Sequence, residues 1–595
     1  MRSGKRSWFV YLAAAIPLIR AFPLIRLKAD STHTIADYIE RQVKKHGKRL
    51  FMVFEDQQIT YLEFNALANR AAHWALAEGF RAGDTIGFMM ANRIEYVPIW
   101  SGLTKIGVRA ALINTNLRGN SVLHALEVAG TKHLLVGDEC LDNLGSISDD
   151  VISTLTLYVL PEIGLCTPTY PGAINIRESL TNQPTSNPDR SHRDSVRTGD
   201  SAFYIYTSGT TGLPKASKFN HQKLTLFSLL GPLLGLRKGK VVYCPLPLYH
   251  GAGGVGTVMM ALGSGGTIAL VRKFSASRFW TDVSRYNATG FIYIGELCRF
   301  LLNQPPNPDD GKHGLKFMFG TGLRPDIWRK FQERFRVPWI VEAYGATESN
   351  IGAFNFSGKI GSVGKLRGAT LLRYDVATDE LIRDSEGRYM QCDTGEVGEL
   401  VSKIPRDPNA LLGQFQGYTT EEATEKKILR NVKRAGDAYF RSGDLLRQDA
   451  DGYFYFIDRI GDTFRWKGEN VSTQEVAEAL SSFPGVETVN VYGVEIPGHE
   501  GRAGMAALVF NRGWEGQFDA KAFHEHVVSR LPSYAIPIFL RVCPESDITE
   551  TFKLRKVSLR REGYDPERIA EPIYIRDVAA NTYTRLHTIT DVHIR

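Results

Sequence analysis

The feature that most constrains the fold is an alternation: short apolar runs, each followed by a longer segment of helical periodicity. Residues 51–60 read as a hairpin turning at Asp56-Gln57-Gln58, after a first helical stretch over 34–46. Residues 61–78 carry Leu62, Leu67, Ala71 and Ala75 at helical spacing, and Gly79 stands where a C-cap belongs. Then 85–90 reads as a strand, 96–106 as a helix and 110–114 as a strand; 241–245, 266–271 and 290–293 continue the series. Parallel neighbours need a crossover, and the intervening helices supply it. The pattern therefore predicts an α/β chain with mostly parallel sheets and flanking helices.

Near residue 460 the pattern changes. Ser472-Thr473-Gln474-Glu475 is a capping box that opens a short helix to Leu480, Phe483-Pro484-Gly485 turns, and 486–494 alternates as a strand. A large N-terminal domain over 29–459 and a small, mobile α+β C-terminal domain over 460–595 are expected. Residues 182–200 read as a polar surface loop and 413–440 as a charged, exposed stretch.

Residues 1–28 stand apart. Arg2, Lys5 and Arg6 precede an uncharged run over 8–19, then Arg20, a second run over 21–25, and Arg26 and Lys28. A full span would need about 20 apolar residues and would have to bury Arg20, Pro17 and Pro23. A cleaved signal would send the chain where ATP is scarce. The segment reads as membrane-associating, with its cations at lipid headgroups; an apolar helix docked on the protein is the alternative. The carboxyl end, Val592-His593-Ile594-Arg595, matches neither an SKL-type nor a KDEL-type address.

Composition narrows the chemistry. The 595 residues carry a net charge of +8, spread along the chain, with no signature of nucleic-acid binding. The six cysteines are scattered without CxxC or metal-ligand spacing, which argues for free thiols and against a disulfide framework or a cysteine nucleophile. Nothing in the sequence fixes an oligomeric state.

The clearest chemical signal is Thr207-Ser208-Gly209-Thr210-Thr211-Gly212-Leu213-Pro214-Lys215, directly after the apolar Tyr204-Ile205-Tyr206. Glycines let backbone N–H groups turn inward, hydroxyls add donors and Lys215 adds charge, as a phosphate needs. It is not a Walker A loop, because Lys215 follows proline and precedes Ala216. Glu348 in Tyr344-Gly345-Ala346-Thr347-Glu348-Ser349 offers oxygen to Mg²⁺, and Tyr344 a flat face to a base. Asp444, in Tyr439-Phe440-Arg441-Ser442-Gly443-Asp444, suits a pair of ribose hydroxyls, and Asp458-Arg459-Ile460-Gly461-Asp462 a hinge. His250 precedes a run containing Gly251, Gly253, Gly254 and Gly256, which reads as a turn or as room for a long acyl tail.

The ordered series TSGTTGLPK, YGATES, YFRSGD, DRIGDTFRWKGENVS and TFK resembles the adenylate-forming superfamily of acyl-CoA synthetases, luciferases and adenylation domains. LPLYHGAG, KFSASRFW, YIGELCRFLLNQPP and GTGLRPDIW are similar to its fatty acid transport protein/very long-chain acyl-CoA synthetase branch. The resemblance implies ATP-dependent activation of a long- or very long-chain fatty acid through an acyl-adenylate, with Mg²⁺ and coenzyme A, at a cytosol-facing membrane. It implies that residues 207–212 and Lys215 hold the β- and γ-phosphates. Gly320, Thr321, Gly322 and Tyr344 would surround adenine, Thr347 the α-phosphate, and Asp444 and Arg459 the ribose. Glu348 would hold the metal, His250 would lie at the acyl site, Gly468 near pantetheine, and Lys553 would bridge the acyl carboxylate and α-phosphate. Gly461 departs from the Asp or Lys usual there, and Gly468 rests on WKGEN alone. Transfer to a carrier protein, or a membrane uptake role, are the alternatives.

Overall fold

The computed structural model describes residues 28–588, except 163–169, 171, 209–213, 377, 408–409, 411–412, 468, 498, 500, 512, 515–517 and 547–553. The segment over 1–28 that the sequence reads as membrane-associating lies, but for Lys28, outside the described residues, as do the last residues of the chain.

Among the described residues, two parallel-rich sheets form the bulk of the protein. In one, the strands His133–Gly137, Thr85–Met89, Arg109–Leu112 and Ser201–Ser208 run parallel, and Pro214–Asn220 closes the edge antiparallel. In the other, Leu50–Phe54, Thr267–Leu270, Val241–Cys244, Ala288–Ile294, Phe317–Thr321 and Ile340–Tyr344 are parallel, with antiparallel strands at both edges. Runs such as LFMVF and VVYC are nearly all apolar because helices cover both faces. A shared core that includes Trp74, Trp100 and Trp328 binds the two sheets together.

The hairpin turns at Glu55-Asp56, not at Asp56–Gln58: Glu55 takes φ 54°, and Gln57 and Gln58 already pair as strand. The helix Tyr61–Ala77 opens on Thr60, which caps Glu63 N–H while the Glu63 carboxylate accepts from Thr60 N–H at 2.7 Å. Ala71 and Ala75 are buried as the periodicity predicts, but Leu62 is 52% exposed. The apolar face follows Phe64 and Ala68 and leaves Leu62 outside.

Residues 182–200 form a mostly exposed surface loop, as the sequence predicts, but some of its side chains reach inward. Arg193 is 2% exposed and donates to Asp37, Glu40 and the Lys105 carbonyl, while Asn187 shares the buried Lys105 ammonium with Asn65 and Asn69. Polar residues here satisfy buried charge that no local pattern announces.

Beyond a mainly antiparallel sheet lies a smaller α+β unit. Its five strands, Val486–Val494, Ala503–Phe510, Phe539–Val542, Ile573–Asp577 and Thr582–Arg585, carry the helices Thr473–Ser481 and Ala520–Val528 on a core of their own. Ser472 is the N-cap, accepting from Glu475 N–H at 3.2 Å. This unit meets the larger one where Arg324 Nη2 donates to Ser481 Oγ at 2.8 Å. No described helix is long and apolar enough to cross a membrane.

Candidate active site

Thr207 lies near the carboxyl end of its strand in one sheet, and Thr321 and Tyr344 end strands of the other. Crevices outside such carboxyl ends are the usual ligand sites of open α/β sheets. Thr207 pairs with Lys215 across the hairpin whose connecting residues, Gly209 to Leu213 including Thr210, Thr211 and Gly212, lie outside the described part. Ser208 ends the strand.

Tyr418 ties this hairpin to the glutamate of YGATES. Its hydroxyl donates to Glu348 Oε1 at 3.2 Å and bonds Thr207, and its ring lies 5.9 Å from Lys215 Nζ. The backbone around it is pinned by Lys218 N–H to Gly417 O and Thr419 N–H to Ala216 O. Residues 413–440 were expected to be a merely exposed stretch, yet Tyr418 is 4% exposed. The other Glu348 oxygen, Oε2, is buried without a hydrogen-bond partner among the described residues. An unmatched anionic oxygen beside a phosphate-type loop fits one protein ligand to Mg²⁺, which is commonly completed by water and phosphate.

A second group sits beside the first. Tyr344 OH donates to Asp444 Oδ2 at 2.7 Å, and Arg459 Nε stands 3.4 Å from Asp444 Oδ1, the two residues being register partners. Asp444 is thus held by a neutral donor from the eight-stranded sheet and a cation from the strand beside its own. Burial, then the Asp444 charge, pushes the Tyr344 phenol well above its ordinary range, so it remains a donor at neutral pH. Glu399, fully buried, accepts from Arg441 Nε and Gly443 N–H and fixes the turn into Asp444.

Gly320, Thr321 and Gly322 are positioned by a buried carboxylate. Glu342 accepts from Tyr293 OH and from the N–H groups of Gly322 and Leu323. Burial raises Glu342 to about 8. Gly320 has no room for a Cβ, which would lie 2.1 Å from the Tyr293 carbonyl oxygen. Gly322, at φ +82°, makes the turn away from the strand.

Two lysines complete the charge pattern. Lys223 Nζ donates to the carbonyls of Ser349 (3.1 Å) and Thr347 (3.4 Å), clamping the YGATES turn from behind. Burial lowers it to about 8, against the opposing pull of Glu348. Lys427 Nζ donates to Ser442 O at 3.0 Å; burial lowers it too, while Glu348, Glu399 and Asp444 favour its charge.

His250 precedes residues Gly251–Thr257, which form neither a plain turn nor an open slot but a π-helical segment. Cβ atoms on Gly253 and Gly254 would lie 2.3 Å from Pro247 O and 1.8 Å from Leu248 O, so these two glycines serve close backbone packing. A Cβ on Gly251 would lie 3.7 Å from Thr347 Oγ1, which puts the His250 turn beside Thr347. Asn92 holds that turn, accepting from Leu248 N–H at 2.8 Å and donating to Leu246 O and Val271 O.

Contacts among the described residues thus link Thr207, Lys215 and Glu348 through Tyr418, Tyr344 and Arg459 through Asp444, and the His250 turn to Thr347 through Gly251, while Glu342 fixes Gly322 beside Gly320 and Thr321. Gly468 and Lys553 lie outside the described residues. At the proposed hinge, buried Asp458 accepts from Thr473 N–H at 2.6 Å and Gly461 turns at φ +87°. Tyr418, Lys223, Lys427 and Glu342 were not singled out by sequence reasoning. For Glu342 a signal existed, an acid inside the apolar run Ile340–Tyr344; for the others there was none locally.

The class of enzyme is given by the family to which the chain belongs. The chain belongs to the AMP-binding enzyme family: the family matches residues 39–418, and the AMP-binding enzyme C-terminal domain matches 475–553. Long-chain fatty acid transport protein 2 of Rattus norvegicus is 40% identical over 587 residues, 97% of this chain and 92% of that protein. Medium/long-chain-fatty-acid--CoA ligase FadD6 of Mycobacterium tuberculosis is 38% identical, over 92% of this chain and 89% of its own length. The anthranilate CoA ligase AuaEII, solved with anthranoyl-AMP, shares the fold at TM-score 0.72 and 22% identity, over 89% of this chain and 97% of that one.

Proposed function

We propose that the protein converts long- or very long-chain fatty acids to acyl-CoA through an acyl-adenylate. The observation that carries this is the chain of contacts that joins Thr207, Lys215 and Glu348, through Tyr418, to Asp444, through Lys427. In this reading Thr207, Ser208, residues 209–212 and Lys215 grip the leaving pyrophosphate, Gly320–Gly322 and Tyr344 frame adenine, and Asp444 with Arg459 holds the ribose. A carboxylate is a poor electrophile, so its oxygen first attacks the α-phosphorus and pyrophosphate departs. Thr347 and Lys553 face the charge that develops there. Glu348 is the residue that would hold Mg²⁺, whose chemistry is to neutralise phosphate oxygens. The CoA thiol then attacks the acyl carbonyl, AMP leaves, and Gly468 lies along the pantetheine path.

His250, beside Thr347, borders the acyl carboxylate. Residues 29–459 and 460–595 act as two bodies, with rotation near Arg459–Asp462 exchanging Lys553 for a thiol path. The relatives' names support a fatty acid substrate and a membrane setting, the uncharged runs over 8–19 and 21–25 support attachment, and the need for ATP supports a site facing the cytosol.

Purified protein given ATP, Mg²⁺ and a panel of fatty acids should release pyrophosphate and form acyl-AMP, then acyl-CoA once CoA is added. No acyl-AMP across the panel overturns the reading; acyl-AMP that only a carrier-protein thiol discharges moves the acceptor.

A further inference from the structure

The amino ends of the eight-stranded sheet carry a feature that catalysis does not use. Helix Ile35–His46 ends, and strand Leu50–Phe54 begins, through Lys44, Lys48 and Arg49; strand Val241–Cys244 begins after Arg237, Lys238 and Lys240. All six side chains are exposed, and among the described residues none of them enters an ion pair. The segments are almost 190 residues apart in sequence yet meet in space. Gly239 N–H bonds Gly265 O, a Cβ on Gly239 would lie 4.0 Å from Arg49 Nη1, and a Cβ on Gly265 would strike the His46 ring. Burial, then the charges of Lys45, Lys238 and Arg49, push His46 down to about 4.

The helix C-terminus accounts for Lys44, because its dipole favours a cation there. It does not account for Lys48 or Arg49 beyond the helix, nor for three cations on another turn. Glu63, the acid bordering the cluster, is taken up by Thr60 N–H and hydroxyl. Next to it, Leu62 is 52% exposed, with its Cγ 3.1 Å from where a Gly47 Cβ would stand. Cations without acids around an exposed leucine are the chemistry of a bilayer surface: headgroup phosphates meet the charge and the acyl boundary meets the leucine. A free nucleotide is served at the other end of the same strands, roughly 15 Å away for strands of this length.

We propose that this basic edge, with Leu62 as its apolar contact, docks the protein on an anionic lipid bilayer. The choice of a bilayer rests on the membrane reading above. The helix that ends in the patch starts seven residues after Lys28, where the apolar N-terminal run arrives. One apolar segment holds a membrane only reversibly, and a polybasic surface is the second signal that makes attachment stable.

The test is co-sedimentation of the full chain with phosphatidylcholine vesicles, with and without about 30 mol% phosphatidylserine. The Lys44→Glu/Lys48→Glu/Lys238→Glu/Lys240→Glu variant should lose at least about tenfold in binding to the anionic vesicles. Its binding to neutral vesicles, which reports the apolar segment, should not change. Leu62→Ser should lose a few-fold on both, and wild-type binding to anionic vesicles should fall as salt rises. Anionic binding that survives the charge reversal, or a charge-reversed variant that loses equally on both vesicles, overturns the proposal. The variant's acyl-AMP formation in detergent serves as the folding control. Because docking is read from vesicles alone, a protein that docks but makes no acyl-AMP would fault the enzymatic reading and not this one.

Discussion

At the carboxyl edge of the eight-stranded sheet, acids are buried among donors: Glu342 holds three, and Asp444, reached by Tyr344 from that edge, holds Tyr344 and Arg459. At the amino edge, cations such as Lys48 and Lys240 stand in solvent without acids. The same parallel architecture builds both edges, so the difference lies in what each is made to meet. A small polyvalent ligand needs groups oriented in advance, and orienting a charge takes burial and partners. A lipid surface is large and fluid, so number and exposure of charges matter more than their geometry.

Breaking the ordered edge should cost most. Glu348→Gln, nearly isosteric, should lower the adenylation rate by about a hundredfold or more. It should also raise the Mg²⁺ concentration needed for half-maximal rate; an unchanged Mg²⁺ dependence would contradict the metal role. Asp444→Ala should act on binding, raising the ATP KM by about tenfold to a hundredfold with a smaller change in kcat, as loss of a charged hydrogen-bonding group does. Tyr418→Phe, which removes one hydroxyl from the link between Glu348 and Thr207, should cost about three- to tenfold in kcat/KM.

Glu342 allows a pH test. Burial raises it from 4.5 to about 8, so in this window the folded chain binds a proton that the unfolded chain has released. Stability contributed by this position should therefore fall as pH climbs from about 4.5 to about 8. Glu342→Gln cannot titrate, so the Tm difference, wild type minus variant, should shrink or reverse over that range. A difference that grows with pH would contradict the buried neutral acid. The smallest effect belongs to the amino edge: reversing Lys44, Lys48, Lys238 and Lys240 should leave detergent-phase kinetics within about twofold, since screened charges at that distance reach the cleft weakly.

The parallel sheets were legible because both of their signals are local. Runs like Val241–Cys244 must be apolar when covered on two faces, and the Ser472 cap lies three residues from its Glu475 partner. The phosphate hairpin, Glu348 and Asp444 were legible through the order of short motifs. Tyr418 was not, because its meaning lies in contacts with Glu348, 70 positions away, and with the hairpin more than 200 positions away. The inward contacts of Arg193 and Asn187 stay hidden for the same reason: the surface loop they belong to looks wholly solvated until the buried Lys105 it serves is in place. The glycines after His250 were misread differently. Two of them are required by the backbone of Pro247 and Leu248, a contact that sequence spacing does not reveal.

The central claim is that one lysine serves one half of a two-step reaction. It is tested most directly by comparing Lys553→Ala with wild type in the two separate half-reactions, acyl-AMP formation from acid and ATP, and thioester formation from supplied acyl-AMP and CoA. The expected result is a loss of about a hundredfold or more in the first and near wild-type rates in the second. Equal losses in both would contradict it.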